Sequence, residues 1–329
     1  MQNNSDIMQT GGLTMAFFIN STRDYHQNEL NSLGWEMTVS NSLYPERSPC
    51  RTVLTSRVSY GCHLSTFLQE NLPLDRLQTV LEVGGGYGYL MRDFLRMNPD
   101  LCATMVDISP FLLGEQKKTL QGFPVNFHLT DFFTIEKACL GKHDLVILNE
   151  NLGDFPTAVA VSVSSLREET SPERDLSLAR IRDLFNFYSF PEPEHDPFNF
   201  NLGAVEVTET LCREAVPYIF LSEHSCQATV PDAYRDIIAV SAPGNPERIT
   251  LKGHHEYTVK FTHLETVAKH YGYRILRGPL ADFIRIDFND SLLWMLKRRH
   301  TTRHEQEILR HFVADLFQYE YLLLSRKDL

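Results

Sequence analysis

The stretch LEVGGGYGYL, residues 81–90, decides the fold of this chain. Residues 80–83 form a short, mainly apolar run, which is typical of a strand buried on both faces of a parallel sheet. Gly84, Gly86 and Gly88 follow at alternate positions, and apolar residues at helical spacing begin directly after them. Glycines let the backbone turn sharply and approach a ligand closely, and a helix N-terminus offers free N–H groups. The stretch therefore predicts the strand, turn and helix of a mononucleotide-binding unit.

The spacing of the glycines indicates which nucleotide binds. A dinucleotide site needs G-x-G-x-x-G, and counting from Gly84 places Tyr89 at the third glycine position. Counting from Gly86 places Met91 there, so neither count fits. The motif that is present, E-x-G-x-G-x-G, resembles motif I of the class I S-adenosylmethionine (SAM) methyltransferases. That resemblance implies SAM as the cofactor, with contacts from Glu82, Gly84, Gly86 and Gly88.

Two further predicted strands end in residues suited to the rest of a nucleoside. Residues 102–106 form a second buried strand and run into an aspartate, which at a strand tip can accept both ribose hydroxyls. Residues 127–129 lead to an Asp-Phe pair, which resembles the methyltransferase position where a carboxylate takes the adenine amino group beside an aromatic ring. The alternative is a doubly wound fold that binds another nucleotide. The cofactor contacts expected at these two strand ends are Asp107, Ile108, Asp131 and Phe132.

The next two predicted strands end in candidate catalytic residues. Residues 144–148 run into Asn149 and Glu150. Methyl transfer from a sulfonium is an in-line displacement, so the enzyme mainly orients the nucleophile and, where needed, removes its proton. We expect Glu150 to orient a cationic nucleophile and Asn149 to hold the amino-acid part of the cofactor or a polar substrate atom. His224, at the end of a fifth strand, is the candidate general base. A surface-loop carboxylate and a rim histidine bonded to backbone are the structural alternatives.

Three histidines in the C-terminal half of the chain are candidate metal ligands: His254, His255 and His263. No cysteine or carboxylate accompanies them at the spacing of a known zinc pattern. We therefore expect no metal site.

The composition is that of an ordinary globular protein. The chain has 329 residues, of which 43% are hydrophobic and 22% charged, enough to bury a large core. The 31 Lys and Arg residues against 42 Asp and Glu give a net charge of −11, which argues against nonspecific binding of nucleic acid or anionic membranes. The six cysteines are scattered, the N-terminus lacks a basic secretory region, and the apolar run 13–19 is too short to span a bilayer. We expect a cytoplasmic protein whose partner is its methyl acceptor.

The predicted fold is α/β, a doubly wound, mostly parallel, seven-stranded Rossmann-like methyltransferase sheet with an N-terminal cover and a rim insertion. Residues 1–72 form the cover, in which Arg51, Thr52, Thr55 and Ser56 are candidate pocket residues. Residues 73–163 form the SAM-binding half, and 164–202, rich in charges and prolines, are an insertion acting as a lid or substrate-contacting arm. Residues 203–329 complete the sheet, and the apolar run 319–325 matches the antiparallel last strand of class I methyltransferases.

Three segments resemble a narrower group, the MidA-like protein arginine methyltransferases that act in mitochondrial complex I assembly. They are TSRVSYG (55–61), LNENLGDFP (148–156) and TVKFTHL (258–264). In this chain Gly153 precedes Asp154, so the acidic position of the group is displaced by one, and the acids of its third segment are missing. The resemblance implies SAM-dependent methylation of a protein side chain, with arginine as the specific candidate. The alternatives are a small-molecule O- or N-methyltransferase and a catalytically silent SAM-binding assembly factor.

Overall fold

A computed structural model of the protein describes residues 17–33, 38–167, 176–298 and 304–327. The first residues of the predicted cover and residues 168–175 of the predicted insertion lie outside this range. The described residues form the strands β1 (Phe18–Asn20), β2 (Thr79–Val83), β3 (Cys102–Asp107), β4 (Val125–Leu129), β5 (Leu145–Asn149), β6 (Thr157–Val161), β7 (Phe198–Phe200), β8 (Tyr218–His224), β9 (Arg248–Thr250), β10 (His255–Tyr257), β11 (Tyr273–Pro279) and β12 (Tyr319–Arg326). They form the helices α1 (Arg23–Asn28), α2 (Val39–Leu43), α3 (Pro49–Thr52), α4 (Tyr60–Asn71), α5 (Tyr89–Met97), α6 (Pro110–Thr119), α7 (Lys137–Leu140), α8 (Ser164–Arg167), α9 (Leu176–Tyr188), α10 (Leu202–Arg213), α11 (Phe261–His270), α12 (Asp290–Lys297) and α13 (His304–Gln318).

Seven of these strands form the central sheet, in the order β4-β3-β2-β5-β8-β12-β11. The strands from β4 to β8 pair in parallel, whereas β12 is antiparallel to both β8 and β11. The order reverses direction between β2 and β5, and ligands of open α/β sheets bind outside the carboxyl ends at such a point. The prediction of a doubly wound, mostly parallel, seven-stranded sheet with an antiparallel last strand is confirmed.

The sheet is the middle layer of a three-layer structure, because alternate residues of its strands face opposite sides. In β2, Val80 packs into one apolar cluster with α4, α5, α12 and α13, while Leu81 and Val83 pack into another with α9, α10 and α11. In β5, Ile147 packs into the first of these clusters and Leu148 into the second. The inner strands therefore read as continuous apolar runs, as expected of strands covered on both faces.

A second, antiparallel sheet in the order β1-β6-β7 joins the cover and the insertion to the main body. Phe18 of β1 lies opposite Val159 of β6, and Phe200 of β7 lies opposite Ala158. In α9 the side chains of Ile181 and Leu184 are buried in the same cluster as α10 and α11. The described part of the insertion thus extends the helical layer and this second sheet. Among the described residues, no helix combines the length and apolar character needed to cross a bilayer.

Candidate functional site

A cavity of about 350 Å³ opens at the carboxyl ends of β2, β3, β5 and β8. Its floor comes from the sheet and from the glycine turn between β2 and α5, as the position of the switch in strand order predicts. Its roof comes from the N-terminal cover, which contributes Ser21, Thr22, Arg23, His26, Leu33, Thr38, Ser40 and Asn41. None of the described residues of 164–202 lines the cavity, so the predicted lid contact is not made by that part of the chain.

The cover reaches the cavity through a different part than the sequence predicts. None of the four candidates Arg51, Thr52, Thr55 and Ser56, all within the described residues, lines the cavity. The Arg51 guanidinium instead donates to the backbone carbonyls of Leu43 and Tyr44 at 2.8 and 2.9 Å, respectively. The hydroxyl of Thr55 donates to the carbonyl of Arg285. The Arg51 hydrogen bonds thus lie within the cover, and the Thr55 hydrogen bond joins the cover to the C-terminal half of the protein.

The glycine turn brings backbone close to the cavity. Gly84 and Gly86 line it and have φ values of +64° and +53°, a region that favours glycine. A Cβ on Gly84 would lie 2.4 Å from the Nδ2 of Asn151, which itself donates to the carbonyl of Val83. Gly88, predicted to contact the cofactor, does not line the described cavity; it is the N-cap of α5, at φ +78°.

Glu82 is a buried carboxyl group in the cavity floor, 2% exposed. Burial, reinforced by the charge of Asp107, raises the pKa of Glu82 to about 8. Its Oε2 has no hydrogen-bond partner among the described residues. A buried polar atom without a partner is costly, by about 1–3 kcal/mol. Glu82 is therefore suited to a polar or cationic group of a ligand.

Asp107 connects the tip of β3 to the glycine turn. Its Oδ1 accepts the N–H of Ser109 at 2.8 Å, and its Oδ2 accepts the side-chain amide of Gln116 at 2.7 Å. The same Gln116 amide donates to the carbonyl of Gly86 at 3.0 Å. Burial raises the pKa of Asp107 to about 6, although both hydrogen bonds oppose this shift. Ile108, the next residue, also lines the cavity.

Asp131 and Phe132 stand at the edge of the cavity, after β4. One Asp131 oxygen accepts the N–H of Phe133 at 2.8 Å, and the other lies 2.9 Å from the guanidinium of Arg23. Phe132 is 5% exposed and meets the ring of Phe155 edge-to-face. Arg23, which was not predicted from the sequence, connects α1 of the cover to Asp131, the residue expected to contact adenine.

Asn149 and Glu150 lie together at the end of β5. The Asn149 Oδ1 accepts the hydroxyls of Tyr60 at 2.5 Å and of Ser222 at 2.7 Å, and its Nδ2 donates to the Glu150 Oε1 at 3.2 Å. That same Glu150 oxygen accepts the N–H of Ser40 at 3.0 Å. The Glu150 Oε2 is buried without a partner among the described residues. Protein partners occupy both polar atoms of the Asn149 amide, so its side chain is arranged to position Glu150.

The electrostatics of Glu150 differ from those of a surface acid. Burial raises the pKa of Glu150 to about 7; the N–H of Ser40 opposes the shift and the charge of Glu223 adds to it. Glu150 also has a φ of +56°, an unusual value for a residue with a side chain. Strained backbone of this kind clusters at functional sites. The surface-loop alternative for Glu150 therefore does not fit its surroundings.

Glu223 and His224 line the cavity at the end of β8. The carboxylate of Glu223 accepts two backbone N–H groups, from His224 at 2.8 Å and Gly153 at 3.0 Å. The His224 ring centroid lies 3.7 Å from that of Tyr319, and its Nδ1 lies 3.5 Å from Glu223. The end of β8 thus places a carboxylate beside an imidazole in the cavity lining.

Of the three histidines considered as metal ligands, His263 is a core residue. Burial lowers its pKa to about 3, and its ring packs 4.5 Å from that of Phe190. His254, in contrast, lies beside Asp154 and His26, two residues that line the cavity.

The structure thus brings together at one cavity most of the predicted site residues: Glu82, Gly84, Gly86, Asp107, Ile108, Asp131, Phe132, Asn149, Glu150 and His224.

No protein-family model and no curated protein sequence matches this chain. Among solved structures, an uncharacterized protein from Burkholderia thailandensis is similar with a TM-score of 0.50 at 15% identity, over 88% of this chain and 86% of that one. A second protein from that organism, bound to S-adenosyl-homocysteine, gives a TM-score of 0.49 at 14% identity, over 88% and 78%. The plantazolicin methyltransferase in complex with SAH gives 0.46 at 10% identity, over 93% and 95%. At these identities the likeness concerns the fold.

Proposed function

We propose that this protein is a SAM-dependent methyltransferase. The observation that carries the proposal is the single cavity in which the glycine turn, Asp107 and Asp131 meet Glu150 and His224. The first three are the groups expected around a nucleoside, and the last two are the groups expected around a nucleophile. The solved structures of similar fold that contain S-adenosyl-homocysteine agree with this assignment.

The residues present fit the cofactor. The partnerless Oε2 of Glu82 can accept a hydrogen bond from its amino group, and Gly84 and Gly86, both at positive φ, line the cavity with backbone. In this proposal Asp107 accepts the ribose hydroxyls and Asp131 with Phe132 contacts the adenine, which their position in the cavity lining supports. When bound, SAM supplies an electrophilic methyl group on a sulfonium centre. Asn149 keeps Glu150 in place, and Glu150 orients the nucleophile or takes its proton.

We further infer that the acceptor is a cationic side chain of a protein, with arginine as the specific candidate. Two carboxyl groups, those of Glu150 and Glu223, line the part of the cavity where we expect the methyl acceptor to bind. Carboxylates bind guanidinium groups through charge-assisted hydrogen bonds. The pKa of about 7 for Glu150 would fall as a cation approached, because an opposite charge favours the ionised form. The resemblance to MidA-like enzymes points in the same direction.

Two experiments test the function. Calorimetry with SAM, S-adenosylhomocysteine and NAD should show binding of the first two and none of NAD; tighter binding of NAD would overturn the assignment. Incubation with tritiated SAM and a lysate from cells lacking the protein should then label a protein band. Label in the small-molecule fraction instead would identify a small-molecule methyltransferase. Binding of SAM without label in any fraction would identify a silent SAM-binding protein.

A further inference from the structure

Four side chains at the cavity wall form a compact cluster of nitrogen and oxygen donors. They come from three distant segments: His26 from α1, Asp154 from the short turn Leu152–Asp154, and His254 and Glu256 from the hairpin of β9 and β10. The Asp154 Oδ1 lies 2.9 Å from the His26 Nε2 and 3.9 Å from the His254 Nε2. The His254 Nε2 also lies 2.9 Å from the Glu256 Oε1.

These separations suit a small metal ion. With bonds of about 2.1 Å to nitrogen and oxygen, the ligand atoms of a tetrahedral Zn²⁺ site lie roughly 3.4 Å apart. The observed distances of 2.9 and 3.9 Å lie on either side of this value, and the donor atoms of His26, Asp154 and His254 all lie within 4.8 Å of one another. Two imidazoles with carboxylates are a donor set of Zn²⁺ and related transition-metal ions.

The surrounding residues hold the cluster in place. The ring of Tyr25 stacks on that of His254, with centroids 4.2 Å apart and planes at 22°. Gly253, at φ +96°, permits this stacking, because a Cβ there would lie 2.7 Å from the Tyr25 ring. The hydroxyl of Thr22, itself buried, donates to the backbone carbonyl of Asp154 at 3.0 Å. Such supporting contacts orient ligands in metal sites.

We propose that His26, Asp154 and His254 bind one divalent transition-metal ion of the Zn²⁺ class beside the cavity. With three protein ligands, a tetrahedral ion has a fourth position open to an oxygen atom of the neighbouring Glu256, of water or of a bound molecule.

The test measures metal binding alone, without SAM or acceptor, so its outcome is independent of the proposed methyl transfer. Protein treated with a chelator and desalted is titrated with Zn²⁺ by calorimetry, and with Co²⁺ while the visible absorption of tetrahedral cobalt is recorded. We expect one ion per chain. His254→Ala and Asp154→Asn should each weaken Zn²⁺ binding at least about tenfold, because even residues that only support a ligand contribute 10–100-fold.

His255→Ala is the matched control, since it removes the adjacent histidine outside the cluster and should leave affinity unchanged. Circular dichroism of each variant shows whether it is folded, and Glu256→Gln provides a second, milder change. Absence of stoichiometric binding to the wild type would overturn the proposal. Equal Zn²⁺ affinity in folded wild type, His254→Ala and Asp154→Asn would do the same, and would leave the cluster as a network of ion pairs.

Discussion

The side-chain amide of Asn149 donates a hydrogen bond across 3.2 Å to the carboxylate of Glu150, its neighbour in the chain. Adjacent residues of a strand point to opposite faces, so this contact requires the strand to end between them. The φ of +56° at Glu150 provides that change of direction. The last residue of β5 thereby positions the first residue beyond it.

Tyr60 and Ser222 should act as alternative supports for Asn149, because both hydroxyls donate to its Oδ1. Tyr60→Phe or Ser222→Ala alone leaves one donor and should reduce the free energy of unfolding by about 1 kcal/mol. The double variant leaves the oxygen without a partner and should lose more than the sum of the two. Urea denaturation of all four proteins measures this coupling. Strictly additive losses would show that the two hydroxyls do not share Asn149.

Glu150→Gln should separate cofactor binding from chemistry. The substitution keeps the shape of the side chain and removes its charge, so SAM affinity should stay within about twofold while methyl transfer falls about 100-fold, the lower end for positioned acid–base groups. Calorimetry and tritium transfer measure the two quantities. Glu70→Gln, on the exposed end of α4, is the control for loss of a carboxylate. Undiminished transfer in Glu150→Gln would remove this residue from the mechanism.

Asp107→Ala should weaken SAM by about 1–3 kcal/mol, since the ribose hydroxyls lose their acceptor in a buried site. It also removes one of the two acceptors of the Gln116 side-chain amide; the acceptor that remains among the described residues is the Gly86 carbonyl. Asp100→Ala, at the exposed turn before the same strand, should leave affinity unchanged. The measurement is calorimetric. Equal SAM affinity in the two variants would place the ribose elsewhere.

Gly84→Ala should weaken SAM binding, because its Cβ would lie 2.4 Å from the Nδ2 of Asn151, so the glycine turn or the Asn151 side chain must shift in the cavity wall. Gly122 has a φ of +90° with nothing within 4 Å of its Cβ position, so Gly122→Ala introduces the backbone strain without the collision. Both variants should lose about 1 kcal/mol of stability from strain, and Gly84→Ala should lose more because of the collision. Only Gly84→Ala should weaken SAM binding. Retained SAM affinity in Gly84→Ala would show that the turn is not the cofactor cradle.

The contribution of Glu82 to stability should fall as pH rises from about 5 to about 8. The pKa of Glu82 is about 8 in the folded protein, against 4.5 as its ordinary value, so between these values the folded state binds the extra proton. Its stabilising contribution is complete below the lower pKa and is lost through the higher one. At about 1.4 kcal/mol per pKa unit, Glu82→Gln should remove a fall on the order of 3 kcal/mol. Denaturation of both proteins at the two pH values measures it; parallel curves would contradict the assignment.

The parts of the site that lie within a few residues of a strand end could be predicted from the sequence. Glu82, Asp107 and Glu150 each follow from an apolar run and the rule that ligands bind at carboxyl ends. Arg23 and Ser40 could not be predicted, because they reach the cavity through the packing of the cover and share no spacing with the residues they contact.

The sheet of β1, β6 and β7 could not be predicted from the sequence either. β1 and β7 have three residues each, too few to display the period-two alternation by which strands are recognised. The prediction of Arg51 at the cavity rests on the tendency of leading segments in class I methyltransferases to lie over the cofactor, and it is wrong here because the Arg51 donors bind the carbonyls of Leu43 and Tyr44. The cluster of His26, Asp154 and His254 also has no signature in spacing, since three segments supply it.

The position of β12 has a consequence for the order in which the protein is built by the ribosome. β11 is synthesised first, yet within the described residues it joins the sheet through β12, which inserts between β11 and β8. Until residues 280–318 and then β12 have emerged, β8 presents an open edge and β11 has no strand to pair with. The nascent chain therefore passes through a stage with unpaired backbone N–H and C=O groups, the surface to which strands of other chains add.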